Sequence, residues 1–180
     1  MTVKAGKTLI LGIGNTLLTD EGAGIHAMEM LRSQCDDIPG EDLGLTFLDG
    51  GTLSFTLASW IEEHEALIVF DAAQLNKPAG TVESYIGEDM DAFLGRSKHS
   101  AHEVGLLDLM DIARLTGHLP SFRALIAIQP ENMTWGMQTS DAVTPALAIA
   151  THEALAIINN WHGISTTTDT GKADRAIDCC

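Results

Sequence analysis

Three short runs of almost purely apolar residues set the limits on what this chain can fold into: Thr8–Gly14 (TLILGIG), Ala66–Phe70 (ALIVF) and Ala124–Ile128 (ALIAI). A strand that is apolar on both faces must be covered on both faces, and helices crossing over a parallel sheet provide that cover. Between the runs the apolar spacing becomes helical. Gly22–Gln34 carries Ile25, Met28 and Leu31 on one face, and Leu53–Glu62, Val104–Leu115 and Ala142–Asn159 follow the same rule. Thr52 and Ser140 stand where helix caps are expected. Leu45–Leu48 predicts another strand, ending at Asp49-Gly50-Gly51, and the mixed run Thr81–Ile86 predicts an edge strand. Residues 87–101 read as irregular and polar. The expected fold class is α/β: one domain over residues 1–162, in three layers, with a mostly parallel twisted sheet of about five strands and helices on both faces. Gly163 to Cys180, rich in Thr, Ser, Gly and Asp, reads as a disordered tail.

Charge narrows the partners. Against 25 acids the chain has 10 Lys and Arg, a net charge of −15, which repels phosphate backbones and anionic lipid surfaces. Nucleic acid and membrane are therefore not expected partners, and no apolar stretch reaches the ~20 residues that cross a bilayer. A cation, or a basic stretch of another protein, suits this field better. The cysteines are Cys35 and the adjacent pair Cys179-Cys180, with no C-x-x-C, so a reducing compartment and a cytoplasmic protein are expected. Two lysines precede the first apolar run as in a signal peptide, but that run is too short and leads into Gly14-Asn15.

In parallel α/β sheets, ligands collect at the carboxyl ends of the strands, near the point where strand order reverses. Three segments bring polar groups there: Gly14–Gly24, Asp49–Thr52, and Asp71. Gly12-Ile13-Gly14 begins a dinucleotide fingerprint, but the third glycine position holds Leu17, and the fingerprint fails. The loop offers Asp20 and Glu21 instead. One acid before a helix is explained by the helix dipole; two beside Gly22 and Gly24 leave room for a second job. Asp71, directly after five apolar residues, is costly to bury without a cation or several donors. His99 and His102 lie in Lys98–Glu103 (KHSAHE), whereas His26, His64, His118, His152 and His162 fall on or beside helices. One imidazole with two carboxylates forms a mixed N/O set suited to a borderline divalent metal, with positions left open for water or substrate. Spacing alone leaves open whether such residues converge. There is no H-E-x-x-H, no G-x-S-x-G and no P-loop.

Leu11–Gly24 (LGIGNTLLTDEGAG) resembles the N-terminal signature of the hydrogenase maturation proteases, G-x-G-N-x-L-x-x-D-[DE]-G-x-G. The similarity continues through Leu48–Thr52, Leu67–Ala72, Pro78–Thr81 and Ser100–Leu106 to Ile128–Glu131. The resemblance implies a twisted, mostly parallel sheet and a metal-binding set of Glu21, Asp71 and His102, with Asp49 in a substrate-handling position. His99 would then be dispensable. It further implies an endopeptidase that removes the C-terminal extension of a nickel–iron hydrogenase large subunit once nickel is inserted, recognising that nickel in the substrate. The alternative kept beside it is a non-catalytic nickel-sensing assembly factor using the same groups. The partner implied is the large-subunit precursor, the cofactor is nickel carried by that substrate, with another divalent metal in the resting enzyme left open, and a monomer is expected. An aspartate-driven hydrolysis without catalytic metal is the second mechanism. Where the family often has Ser/Thr-Pro before the last helix, Ser140-Asp141 stands here.

Overall fold

A computed structural model describes residues 5–36, 44–96 and 105–164. His99, His102 and the segment after Ile164 lie outside the described residues, and so does the expectation of a disordered tail.

The three apolar runs are strands, and their alternation builds two cores. β1 (Thr8–Gly12), β3 (Ala66–Ala72) and β5 (Phe122–Ile128) are joined by β2 (Leu45–Asp49) and β4 (Val82–Ile86) in the order β2-β1-β3-β5-β4. All pairings are parallel except that of β4 with β5. Ile10, Ile68, Phe70, Ile126 and Ile128 point to one face, under α1 (Ala23–Asp36) and α5 (Thr144–His162). Leu9, Leu11, Leu67, Val69 and Leu125 point to the other, under α2 (Leu57–Glu62), α3 (Glu88–Arg96) and α4 (Leu106–Leu115). Period-two alternation of residues that are all apolar thus feeds both sides of the sheet. The expected three-layer α/β fold is present. Among the described residues no helix is long and apolar enough to cross a membrane.

Three local expectations are corrected. Residues 87–101 are not wholly irregular, because Glu88–Arg96 forms α3. Its acids Glu88, Asp89 and Asp91 sit in the first turn, where the helix dipole favours them, and Met90 and Leu94, four apart, are its buried residues. Tyr85 and Phe93 stack at 4.2 Å between ring centroids, fixing the helix on β4. Secondly, α2 begins at Leu57 rather than Leu53, since Leu53 has φ 66°, outside the helical region. Thirdly, α5 begins at Thr144-Pro145, with proline in the first helical turn, so a Thr-Pro does open the last helix, four residues beyond Ser140. Ser140 terminates the turn before it, its carbonyl accepting from the Thr144 N–H at 2.9 Å.

Candidate active site

Strand order reverses between β1 and β3: from β1 the chain passes outward to β2 on one side and then to β3 on the other. The crevice outside these two carboxyl ends is where the first loop and Asp71 meet. Gly24, at the start of α1, is packed against this point so closely that a β-carbon would lie 2.4 Å from the carbonyl oxygens of both Ile13 and Phe70. Gly14 has φ 133°, and a β-carbon there would lie 1.8 Å from the Glu21 carbonyl oxygen. The glycines therefore seat the Glu21 backbone against the strand end, rather than opening space for a phosphate. Backbone hydrogen bonding agrees. Gly14 N–H donates to Gly51 O, Leu17 N–H to the Asn15 side chain, Thr19 N–H to Gly136 O, and Glu21 N–H to Leu18 O. These donors are occupied by the protein itself and are not offered to an anion. Leu17 itself is 49% exposed in the loop, and the close helix–strand contact is made by Gly24.

The two adjacent acids of this loop have different environments. Asp20 is fully buried. Its Oδ2 accepts from Glu131 N–H at 2.9 Å, Asn132 N–H at 3.0 Å and the Ser140 hydroxyl at 2.9 Å. Its Oδ1 accepts from Ser140 N–H at 2.7 Å. Burial pushes its pKa up, but the donors from Ser140, Asn132 and Glu131 together hold the carboxyl below its ordinary value. Asp20 is a tether between the β1–α1 loop and residues 131–140. Glu21, next in sequence, is half-buried.

Asp71 is the penultimate residue of β3, in register with Ala127 of β5. Its pKa is pushed up to about 7, first by loss of solvent around the carboxyl and also by the charge of Glu21, with the Ala72 N–H acting the other way. The residue as a whole is only half-buried; the carboxyl end is what the surrounding protein dehydrates. Two of the three expected site residues, Glu21 and Asp71, thus lie within electrostatic reach of each other at the switch point. The third, His102, is outside the described residues, and among the described residues no group of three acid, His or Cys side chains shares one ion site. Asp49 is exposed and its Oδ1 accepts from Gly51 N–H at 2.8 Å, a turn bond that shapes the Asp49–Gly51 corner.

Charge around this crevice is one-sided. Residues 8–31, 45–76 and 124–164 contain no lysine or arginine, although they carry Asp20, Glu21, Asp49, Asp71, Glu131 and Asp141 at the carboxyl edge. Two interacting carboxylates without a neighbouring base are the donor chemistry of a cation site. Sequence reasoning overlooked two further features. His26 Nε2 is shielded from solvent without a hydrogen-bond partner, and a β-carbon on Gly22, the residue after Glu21, would lie 3.3 Å from it. Met133, Trp135 and Met137 project from the loop that Asp20 tethers, 47%, 81% and 70% exposed. The alternating Met-x-Trp-x-Met in an otherwise polar loop was the available signal. A separate recess of about 320 Å³ lies at the opposite edge, lined by residues that include Lys7, Thr46, Trp60 and His64. There His64 is engaged on both ring nitrogens, by Trp60 O at 2.6 Å and Thr46 Oγ1 at 3.1 Å, so its imidazole is no open ligand.

A doubly wound α/β protein with a paired-carboxylate crevice at its switch point is the class that this geometry defines. Residues 25–157 match the family model described as hydrogenase maturation protease. The chain is 35% identical to the hydrogenase expression/formation protein HupD of Rhodobacter capsulatus, over 97% of this chain and 81% of that one. It is 31% identical to the hydrogenase 2 maturation protease of Escherichia coli, over 84% of this chain and 90% of that one. Among solved structures, the hydrogenase maturating endopeptidase HybD from E. coli superposes with a TM-score of 0.75 at 30% identity, covering 86% of this chain and 93% of that one. The [NiFe] hydrogenase maturation protease HybD from Thermococcus kodakarensis gives 0.68 at 28% identity, covering 84% and 99%. The chain belongs to the hydrogenase maturation protease family.

Proposed function

We propose that this chain is the endopeptidase that removes the C-terminal extension of a nickel–iron hydrogenase large subunit after nickel insertion, and that it recognises the nickel in that substrate. The supporting observation is the pairing of Glu21 with Asp71 at the switch point, with no lysine or arginine in residues 8–31 or 45–76 around them. Mutual repulsion raises the cost of two such charges, and a divalent ion arriving with the precursor relieves it. His102 is proposed as the third group, completing two oxygens and one nitrogen with positions left for the substrate's own ligands. When held there, nickel supplies Lewis-acid polarisation of the scissile carbonyl.

The chain's own groups account for the remainder. Gly14 and the Asp20 tether hold Glu21 at a fixed place on the strand end. Asp71, half protonated near pH 7 before the ion arrives, gives up that proton to become a ligand. Asp49 is assigned to substrate contact through the carboxylate oxygen not used in its turn. The partner is the large-subunit precursor, and the cytoplasm is the compartment that goes with this reading and with the cysteine pattern.

The test mixes purified protein with nickel-loaded and rigorously nickel-free precursor. Only the loaded precursor should be cut, and serine- and thiol-directed inhibitors should have no effect. Adding nickel to the protease alone, then removing the excess, should not rescue the nickel-free precursor. Efficient cleavage of nickel-free precursor would overturn cofactor recognition, and stable binding without cleavage would make the chain an assembly factor.

A further inference from the structure

The tether at Asp20 does more than place Glu21. It joins two exposed loops along their backbones: Gly136 N–H donates to Leu17 O at 3.0 Å, Thr19 N–H donates to Gly136 O at 2.8 Å, and Leu18 and Gly136 form a parallel bridge. The Thr19 hydroxyl adds a bond to the Asn132 side chain at 2.8 Å. Gly136 packs closely on this loop, since a β-carbon there would lie 2.7 Å from Thr19 Cγ2. The joined loops present Leu17, Met133, Trp135 and Met137, 49%, 47%, 81% and 70% exposed, as apolar side chains in a fixed frame. Single exposed apolar residues need no explanation, but four on two hydrogen-bonded loops beside a candidate active site do.

We propose that Leu17, Met133, Trp135 and Met137 form a docking platform for the part of the hydrogenase precursor that flanks the scissile bond, and that this segment carries apolar side chains together with lysine or arginine. The proposal rests on the protease reading above and adds to it the place and chemistry of substrate contact. Distance supports the occupant. Leu17 is four residues from Glu21, so even a fully extended chain keeps the two within roughly 14 Å, about the span of four substrate residues. Charge supports its chemistry. Glu131 and Asp141 flank the Met133–Met137 segment in sequence, both exposed and in no ion pair among the described residues, and residues 124–164 hold no lysine or arginine. Tryptophan and methionine are over-represented where proteins anchor a partner, and methionine adapts its shape to varied side chains. The acids flanking them favour a basic, apolar peptide and reject an acidic one.

The experiment measures processing of full-length nickel-loaded precursor by wild-type protein, Trp135→Ala, Met137→Glu and, as a control, Leu115→Ala. Leu115 is 88% exposed at the C-terminus of α4, near the other edge of the sheet. Melting curves establish that each variant is folded. Trp135→Ala and Met137→Glu should raise KM on the order of tenfold while kcat stays within twofold, and Leu115→Ala should change neither. Raising the salt concentration should raise KM for the wild type, and Glu131→Gln with Asp141→Asn should flatten that dependence. Unchanged KM in both platform variants would overturn the platform while leaving the protease reading intact. A fall in kcat at constant KM would overturn it too, since the loops would then act on chemistry. If the wild type cuts nothing, the protease reading fails separately, and the platform is judged by the affinity of uncut precursor for wild type against Trp135→Ala; equal affinities reject it. A homodimer that Trp135→Ala converts to a monomer would make the platform a self-interface and reject the proposed occupant.

Discussion

At the amino edge of the sheet Arg123 binds both oxygens of Asp91, at 2.9 and 2.7 Å, whereas at the carboxyl edge Glu21 and Asp71 repel each other, with no lysine or arginine in residues 8–31 or 45–76. The amino edge is closed in other ways too. Arg114 reaches the same Asp91 carboxylate at 3.4 Å, the Thr116 hydroxyl donates to Glu62 at 2.7 Å, and His64 is engaged on both nitrogens. Backbone strain is distributed just as unevenly. Thr19, Leu53 and Asn76, the described non-glycine residues with positive φ, all lie in loops that leave the carboxyl ends of β1, β2 and β3. Such conformations persist only where the surrounding structure holds them, and they gather at functional edges. One edge is built for stability, and the other sacrifices some of it to keep charge and apolar surface available.

The largest effect should come from the carboxyl edge. Glu21→Gln and Asp71→Asn should each lower processing on the order of 10²–10³-fold, because the charge proposed to attract the cation is lost while shape is kept. Stability should move the opposite way for Asp71. Its folded pKa is raised to about 7 from 3.8, so its favourable contribution is complete below 3.8 and is lost as pH rises through 7. Asp71→Asn should therefore melt above wild type at pH 8 and near it at low pH. An Asp71→Asn protein that melts lower yet cuts normally would break the comparison, making Asp71 structural.

Asp20 provides the contrast within one loop. Asp20→Ala strands four donors in the interior and should cost about 3 kcal/mol or more, roughly 6–12 °C in melting temperature. Glu21→Gln should leave the melting temperature nearly unchanged. Because Asp20 is held below its ordinary pKa of 3.8, its stabilisation is present above that value and is lost as pH falls through the lowered one. Equal melting temperatures for Asp20→Ala and Glu21→Gln would erase the distinction between the tether and the proposed site residue.

A smaller, graded effect should appear in the pH profile. With Asp71 required in its charged form, kcat/KM should fall about tenfold per unit below pH about 7. A flat profile from pH 5 to 8 in the wild type would remove Asp71 from that role. The smallest effect belongs to the amino edge. Asp91 and Arg123 are 27% and 13% exposed, so solvent screens the pair in part, and Asp91→Asn should cost about 1 kcal/mol without altering kcat/KM. A change in kcat/KM at constant stability would show the two edges to be coupled.

Much of the frame was legible in the sequence because β1, β3 and β5 are apolar at nearly every position, a pattern with few competing interpretations. Helix α3 was missed because its exposed face and acid-rich first turn outweigh Met90 and Leu94 to the eye. The start of α2 was placed too early because the positive φ of Leu53 has no sequence marker as clear as glycine. The strand-end positions of Glu21 and Asp71 were legible, but the tether made by Asp20 was not. Asp20 is satisfied by partners 111 to 120 residues away, a separation that no local pattern records. The Met133–Met137 alternation was visible, yet only the backbone bridge to Leu18 makes it a surface beside the site.

The place of β5 in the sheet bears on how the protein is born. This strand lies between β3 and β4 although it follows both in the chain, and the antiparallel β4 pairs with β5. During synthesis, β3 has an open edge and β4 has no sheet to join until residue 128 has emerged. The donors that capture Asp20 come later still, at 131, 132 and 140. At roughly 5–20 residues per second, Asp20 in the loop carrying Glu21 waits roughly 6–24 seconds from its own synthesis for the donors that tether it. A nascent chain, or one ended before residue 140, therefore carries Glu21 and Asp71 without the complete tether that holds the loop beside them.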